Sequence, residues 1–178
     1  MGIAANQARL MTLTARQNDL ELKAQQISAI KMRLSQTSST MATNYANALN
    51  NYSKMNSAQQ MAEKYKKTDE ADGTETHFVV NADGSFSVSD KGTVTPSTLL
   101  NAVATAIGAA GKYSTANDYL VIQQGVYNTE TDRISAQEKV YDMELTQVNT
   151  ENNAIKTEYD AIKSLIGDNV EKSFNVFG

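Results

Sequence analysis

The stretch Leu13-Thr14-Ala15-Arg16-Gln17-Asn18-Asp19-Leu20-Glu21-Leu22-Lys23-Ala24-Gln25-Gln26-Ile27 returns an aliphatic residue every seventh position, and the repeat does not stop there. It continues through Leu34, Met41, Ala48 and Met55. A seven-residue period sustained this long predicts one long helix packed along another. The companion row, three residues earlier, is Leu10, Gln17, Ala24, Lys31, Ser38, Tyr45 and Tyr52, apolar at its ends and polar in its middle. No Gly or Pro interrupts Ile3 to Lys67. About 60 helical residues would extend roughly 90 Å, too long to curl into a globule.

The other end of the chain repeats the pattern. Leu120, Tyr127, Ile134, Tyr141, Val148, Ile155 and Ile162 form a second heptad row, with Gln124, Thr131, Glu138, Leu145, Asn152, Tyr159 and Ile166 beside it. This second helix is expected from near Asn117 to about Ile166, capped by Gly167-Asp168. The short apolar tail Ser173–Phe177 follows, and Phe174, Val176 and Phe177 are its candidate docking residues.

Between the helices the pattern changes. Thr68-Asp69-Glu70-Ala71-Asp72-Gly73 is acidic, ends in glycine and marks the first boundary. His77–Val80 and Ser85–Val88 flank Asn81-Ala82-Asp83-Gly84, which reads as strand, tight turn and strand. Pro96-Ser97 then opens a short helix over Thr98–Ala109, ended by Gly108 and Gly111. A two-stranded hairpin is marginal alone, so the short helix or the stalk must cover it. The predicted fold is mainly α: long antiparallel terminal helices form a coiled-coil-like stalk around a small α+β insert. Its parts are residues 1–67, 68–116 and 117–178.

Charge supports the pairing of the ends. The net charge is −4, yet residues 1–67 hold nine Lys/Arg against three Asp/Glu, giving +6, while residues 113–178 hold five against eleven, giving −6. Opposite signs favour one helix against the other and disfavour like-with-like pairing. Exposed pairs contribute only about 0.3–0.5 kcal/mol each, so they select partner and register more than they stabilise.

Composition narrows function. Of 178 residues none is cysteine, which excludes disulfides, thiolate metal sites and a cysteine nucleophile. His77 is the single histidine, leaving little material for a triad or a multi-histidine metal site. Asn81-x-Asp83-Gly84 resembles the middle of a calcium loop, but Val79 and Asp90 stand at its first and twelfth positions, so a hairpin turn is the better reading. The carboxylates of the last helix lie on a repetitive charged face, without a cleft to shift their pKa values. Arg9, Arg16, Lys23, Lys31 and Arg33 are spread out and face an acidic partner helix, so a nucleic-acid track is not expected. No apolar run approaches the roughly 20 residues of a membrane span. The opening Met1-Gly2-Ile3-Ala4-Ala5-Asn6 lacks signal-peptide order, so export would use an uncleaved signal. No enzyme, cofactor or metal site is expected.

The stretch Leu13-Thr14 through Asn18-Asp19-Leu20, continuing to Arg33-Leu34-Ser35-Gln36, resembles the opening helix of bacterial flagellins. That family carries Leu-Thr, Asn-x-Leu and Arg-Leu-Ser-Ser with the same thirteen-residue step as Leu20 to Arg33. The wider plan is similar to flagellar and type III secretion axial proteins (filament, hook and needle), with terminal helices, a variable middle and little cysteine. The resemblance covers about 25 residues, and Asn153–Gly178 departs from it, lacking the Arg- and Asn-rich flagellin closing pattern. It implies a self-assembling exported subunit whose partners are further copies of itself, with a secretion chaperone as a second candidate. The assembly seam would comprise the two heptad rows: Leu13, Leu20, Ile27, Leu34, Met41 and Met55, then Leu120, Tyr127, Ile134, Tyr141, Val148, Ile155 and Ile162. A different class of function also fits the two rods: a coiled-coil adaptor, secretion effector or tip protein that binds a helical partner.

Overall fold

A computed structural model describes residues 3–109 and 113–177, with side chains described over 4–109 and 113–172. The element order is α1 (Ile3–Asp72), β1 (Phe78–Val80), β2 (Phe86–Val88), α2 (Pro96–Ala106) and α3 (Ala116–Phe177). The mainly α architecture, with two long packed helices and a small hairpin-plus-helix insert, is the one the heptads predict. Among the described residues no helix is long and apolar enough to cross a membrane.

The helix ends differ from expectation in an instructive way. α1 does not stop at Lys67; it runs on through the acidic Thr68–Asp72 and ends only where Gly73 takes φ +66°. Acidic residues do not break a helix, whereas a left-handed residue does, and glycine adopts that conformation without a Cβ clash. The Gly73 N–H donates to the Asp69 carbonyl at 2.9 Å, closing the last turn. The Asp69 carboxylate accepts from the Thr76 N–H at 2.8 Å and the Thr76 hydroxyl at 2.7 Å, so it holds the chain as it leaves the helix.

α3 begins with a reciprocal cap: the Thr115 hydroxyl accepts the Asp118 N–H, and the Asp118 carboxylate accepts the Thr115 N–H, each at 3.1 Å. Its end corrects the sequence reading, because the helix passes through Gly167-Asp168 and continues to Phe177. Gly167 keeps an ordinary helical φ, so it costs helix stability of about 1 kcal/mol without ending the helix. α2 is likewise shifted from Thr98–Ala109 to Pro96–Ala106. Pro96 fits the first turn, where no N–H is needed, and the Ala109 N–H reaching back to the Ala104 carbonyl at 2.7 Å closes the other end. Gly111 lies outside the described residues.

The chain forms two compact units: Met1–Thr37 with Arg133–Gly178, and Ser38–Asp132. Each long helix contributes one part to each unit.

The Ser38–Asp132 unit has a layered core. Phe78 pairs with Val88 in the antiparallel hairpin, and Val80 with Phe86. The turn forms as predicted: Gly84 takes φ +82°, and its N–H donates to the Asn81 carbonyl. The Asp83 carboxylate accepts the Ser85 N–H and hydroxyl at 2.9 and 2.6 Å. On its other side Phe78 exchanges two backbone hydrogen bonds with Val94, at 2.7 and 3.2 Å. That return of the chain needs Gly92, since a Cβ there would sit 2.6 Å from the Phe78 backbone. Both α1 and α2 supply the cover the hairpin needs. Met55 and Ala58 of α1, Leu99 and Val103 of α2, and Phe78 are fully buried in one cluster. Each large side chain among these contributes about 1.5–3 kcal/mol by burial.

Candidate assembly interface

In the unit built from Met1–Thr37 and Arg133–Gly178, the two heptad rows meet. Leu13, Leu20 and Ile27 of α1 cluster with Val148, Ile155 and Ile162 of α3, all buried. Leu10, Ala24, Tyr141, Leu145, Tyr159 and Ile166 pack against them half-buried. One face of each helix thus closes on the other, as the seven-residue period requires.

Ion pairs give direction and register. The Arg9 Nε donates to Glu158 Oε1 at 2.8 Å, and the Arg16 Nε donates to Glu151 Oε1 at 2.9 Å. One heptad forward along α1 matches one heptad backward along α3, so the helices are antiparallel. Lys31 pairs with Asp142 in the same sense. The signs of the charge partition therefore appear as contacts, while the exposure of these side chains limits each pair to about 0–1 kcal/mol.

The polar residues of the companion rows have separate fates. Lys31 is half-buried and satisfied by Asp142. Asn152 is half-buried, and its Oδ1 is buried without a hydrogen-bond partner. A polar group left so costs about 1–3 kcal/mol, the kind of penalty a lone seam asparagine imposes in exchange for a fixed register.

The remaining seam residues are distributed between the two units. Leu34 is half-buried and Ile134 fully buried in the same unit as Leu13. In the Ser38–Asp132 unit, Met41, Leu120 and Tyr127 are half-buried, and Met55 is fully buried. Tyr127 stacks on Tyr45 with ring centroids 4.6 Å apart, so an aromatic pair takes over where the aliphatic row thins. Met55 belongs to the hairpin core rather than to a plain helix–helix seam, a role the heptad alone did not reveal. The side chains of Phe174, Val176 and Phe177 lie outside the described residues.

Two carboxyls carry shifted titration. The Thr76 backbone N–H, then the Thr76 hydroxyl, hold Asp69 below the usual carboxylate range. The Ser85 hydroxyl, then its N–H, do the same for Asp83. Both are turn and cap groups on the surface, and the Asn81–Gly84 segment is a hairpin turn. Among the described residues no group of three or more His, Asp or Glu side chains gathers in a metal-holding arrangement.

Comparison with known protein families, with curated proteins and with solved structures gives no match for this chain.

Proposed function

We propose that this protein is an exported structural subunit that assembles with copies of itself, its terminal helices forming the assembly core and its central unit facing outward. The observation that carries this reading is the thinness of the two-helix layer. Leu10, Leu145, Tyr159 and Ile166 pack against the seam yet are only partly buried, so two helices do not finish the core that their heptads begin. Further helices would complete it, as in a bundle. The flagellin-like stretch around Leu13–Gln36 and the absence of cysteine support an exported axial role. A secretion chaperone would then cover the helices before assembly.

Electron microscopy and light scattering of the purified protein across a concentration series test the proposal. Ordered polymers that lengthen with concentration are the expected result. A stable monomer at high concentration overturns it. A defined small oligomer that does not grow would favour the adaptor reading, in which the open side of the helix pair receives one helical partner.

A further inference from the structure

The heptad rows of α1 and α3 thin out together at one level of the Ser38–Asp132 unit. Among the described residues, α1 has no buried side chain between Ile27 and Ala48, and α3 has none between Tyr119 and Ile134. Tyr45 stacks on Tyr127, so the two stretches meet where residues 39–47 run beside residues 125–132.

Other supports of a long helix pair lapse in the same place. α1 carries no charged residue from Leu34 to Ser53, so no ion pair from it can reach α3 there. Ser35, Thr37, Ser38, Ser39, Thr40 and Thr43 crowd one short span, and all are poorer helix formers than alanine or leucine. The Thr43 hydroxyl donates back to the Ser39 carbonyl at 3.0 Å, and the Thr131 hydroxyl to the Tyr127 carbonyl at 2.8 Å. Such bonds slightly weaken a helix. On α3, Gly125 keeps an ordinary φ, and a Cβ there would meet nothing within 4 Å. Neither a turn nor a close approach calls for glycine at this position, yet it lowers helix stability. Packing is incomplete too, with a gap of about 30 Å³ beside Met41, Tyr45, Val126 and Tyr127.

We infer that the fold carries a latched soft point here. Residues 39–47 and 125–132 open locally while the Leu13–Ile155 seam and the Phe78 cluster stay closed, and the Tyr45–Tyr127 stack is the latch. Helical stretches with few buried contacts open at lower free energy than the cores beside them, and do so as units. The two rings, 4.6 Å apart and 18° from parallel, hold the pair where neither a buried aliphatic row nor charge does. The soft point belongs to the single chain and does not depend on assembly.

Hydrogen exchange of the full chain tests this, at a concentration where light scattering shows no growth. Corrected for intrinsic rates, amides of residues 39–47 and 125–132 should exchange roughly ten-fold faster than those of residues 20–27, 48–58 and 148–155. Equal protection overturns the inference. Tyr127→Ala should speed exchange of residues 39–47, on the opposite helix, by about five-fold, whereas Tyr127→Phe keeps the ring and should leave it unchanged. If Tyr127→Ala speeds exchange equally across residues 13–58, the stack supports the whole chain and is no latch. Gly125→Ala should slow the same α1 amides by about five-fold. If it slows only its own turn of α3, the helices do not open as a pair and the inference falls. Gly125→Ala adds a methyl in open space, so the test survives even if the Tyr127→Ala chain does not fold.

Discussion

The two units solve the same problem with different resources. The Ser38–Asp132 unit layers two long-helix segments, a hairpin and α2, and buries Phe78 and Met55 completely. The unit of Met1–Thr37 and Arg133–Gly178 has only two helices, and its hydrophobic cluster is a single seam of Leu13, Leu20 and Ile27 against Val148, Ile155 and Ile162. A layered core allows an aromatic to be enclosed on all sides. A two-helix seam has no second layer, so it relies on repetition and paired charge.

The largest expected effect lies in the complete unit. Phe78→Ala removes the ring that meets Tyr65 and Phe86 edge-on, with centroids 5.5 and 6.2 Å away. It should cost about 3–5 kcal/mol in denaturant unfolding, and amide exchange should locate the loss in the hairpin and α2. Exchange that spreads equally into Leu13–Ile27 would deny the two units separate stabilities. Ile155→Ala, in the thin seam, should cost about 2 kcal/mol, at the low end for buried aliphatics because a two-helix layer relaxes around the gap. A loss as large as that of Phe78→Ala would show that the seam is enclosed more fully than two helices allow.

Asn152→Leu should work in the opposite direction. Replacing the half-buried amide whose Oδ1 lacks a partner should stabilise the seam by about 1 kcal/mol, read as a rise in denaturant midpoint. Destabilisation would mean the amide contributes more than register. The ion pairs come next. Arg16→Glu should cost about 0.5 kcal/mol, and adding Glu151→Arg should recover most of it, a coupling that shrinks in high salt.

The smallest effect belongs to pH. Asp69 and Asp83 titrate below the usual carboxylate range when folded. The stability they contribute is present above the unfolded-state value and is lost as pH falls through the depressed folded values. Amide protection at Thr76 and Ser85, taken relative to intrinsic exchange at each pH, should therefore fall on acidification before that of the Leu13–Ile155 seam.

Much of this contrast was legible in the sequence because a heptad is a geometric statement. A side chain every seventh residue must stay on one helix face, and so Leu13, Leu20, Ile27, Ile134, Val148, Ile155 and Ile162 are all buried. The signs of the paired charges were also legible, but not the partners, since Arg9 and Glu158 meet only once the register is fixed. Gly167 and the acidic Thr68–Asp72 misled the reading of helix ends. Neither composition nor residue type says which glycine adopts positive φ, and Gly73 does while Gly167 does not. The bridge from Phe78 to Val94 and the close approach at Gly92 were invisible for another reason. They depend on a strand returning past the hairpin, which no local pattern encodes.

The span between Arg9 and Glu158, 149 residues, has a consequence for synthesis. Contacts of the hairpin close over a few residues and can form as soon as that segment leaves the ribosome. At about 5–20 residues per second, the N-terminal rod waits on the order of ten seconds for its intramolecular mate to be made. During that interval Leu13, Leu20 and Ile27 have no sheltering surface of their own, and nascent chains translated side by side could reach one another before each has met itself.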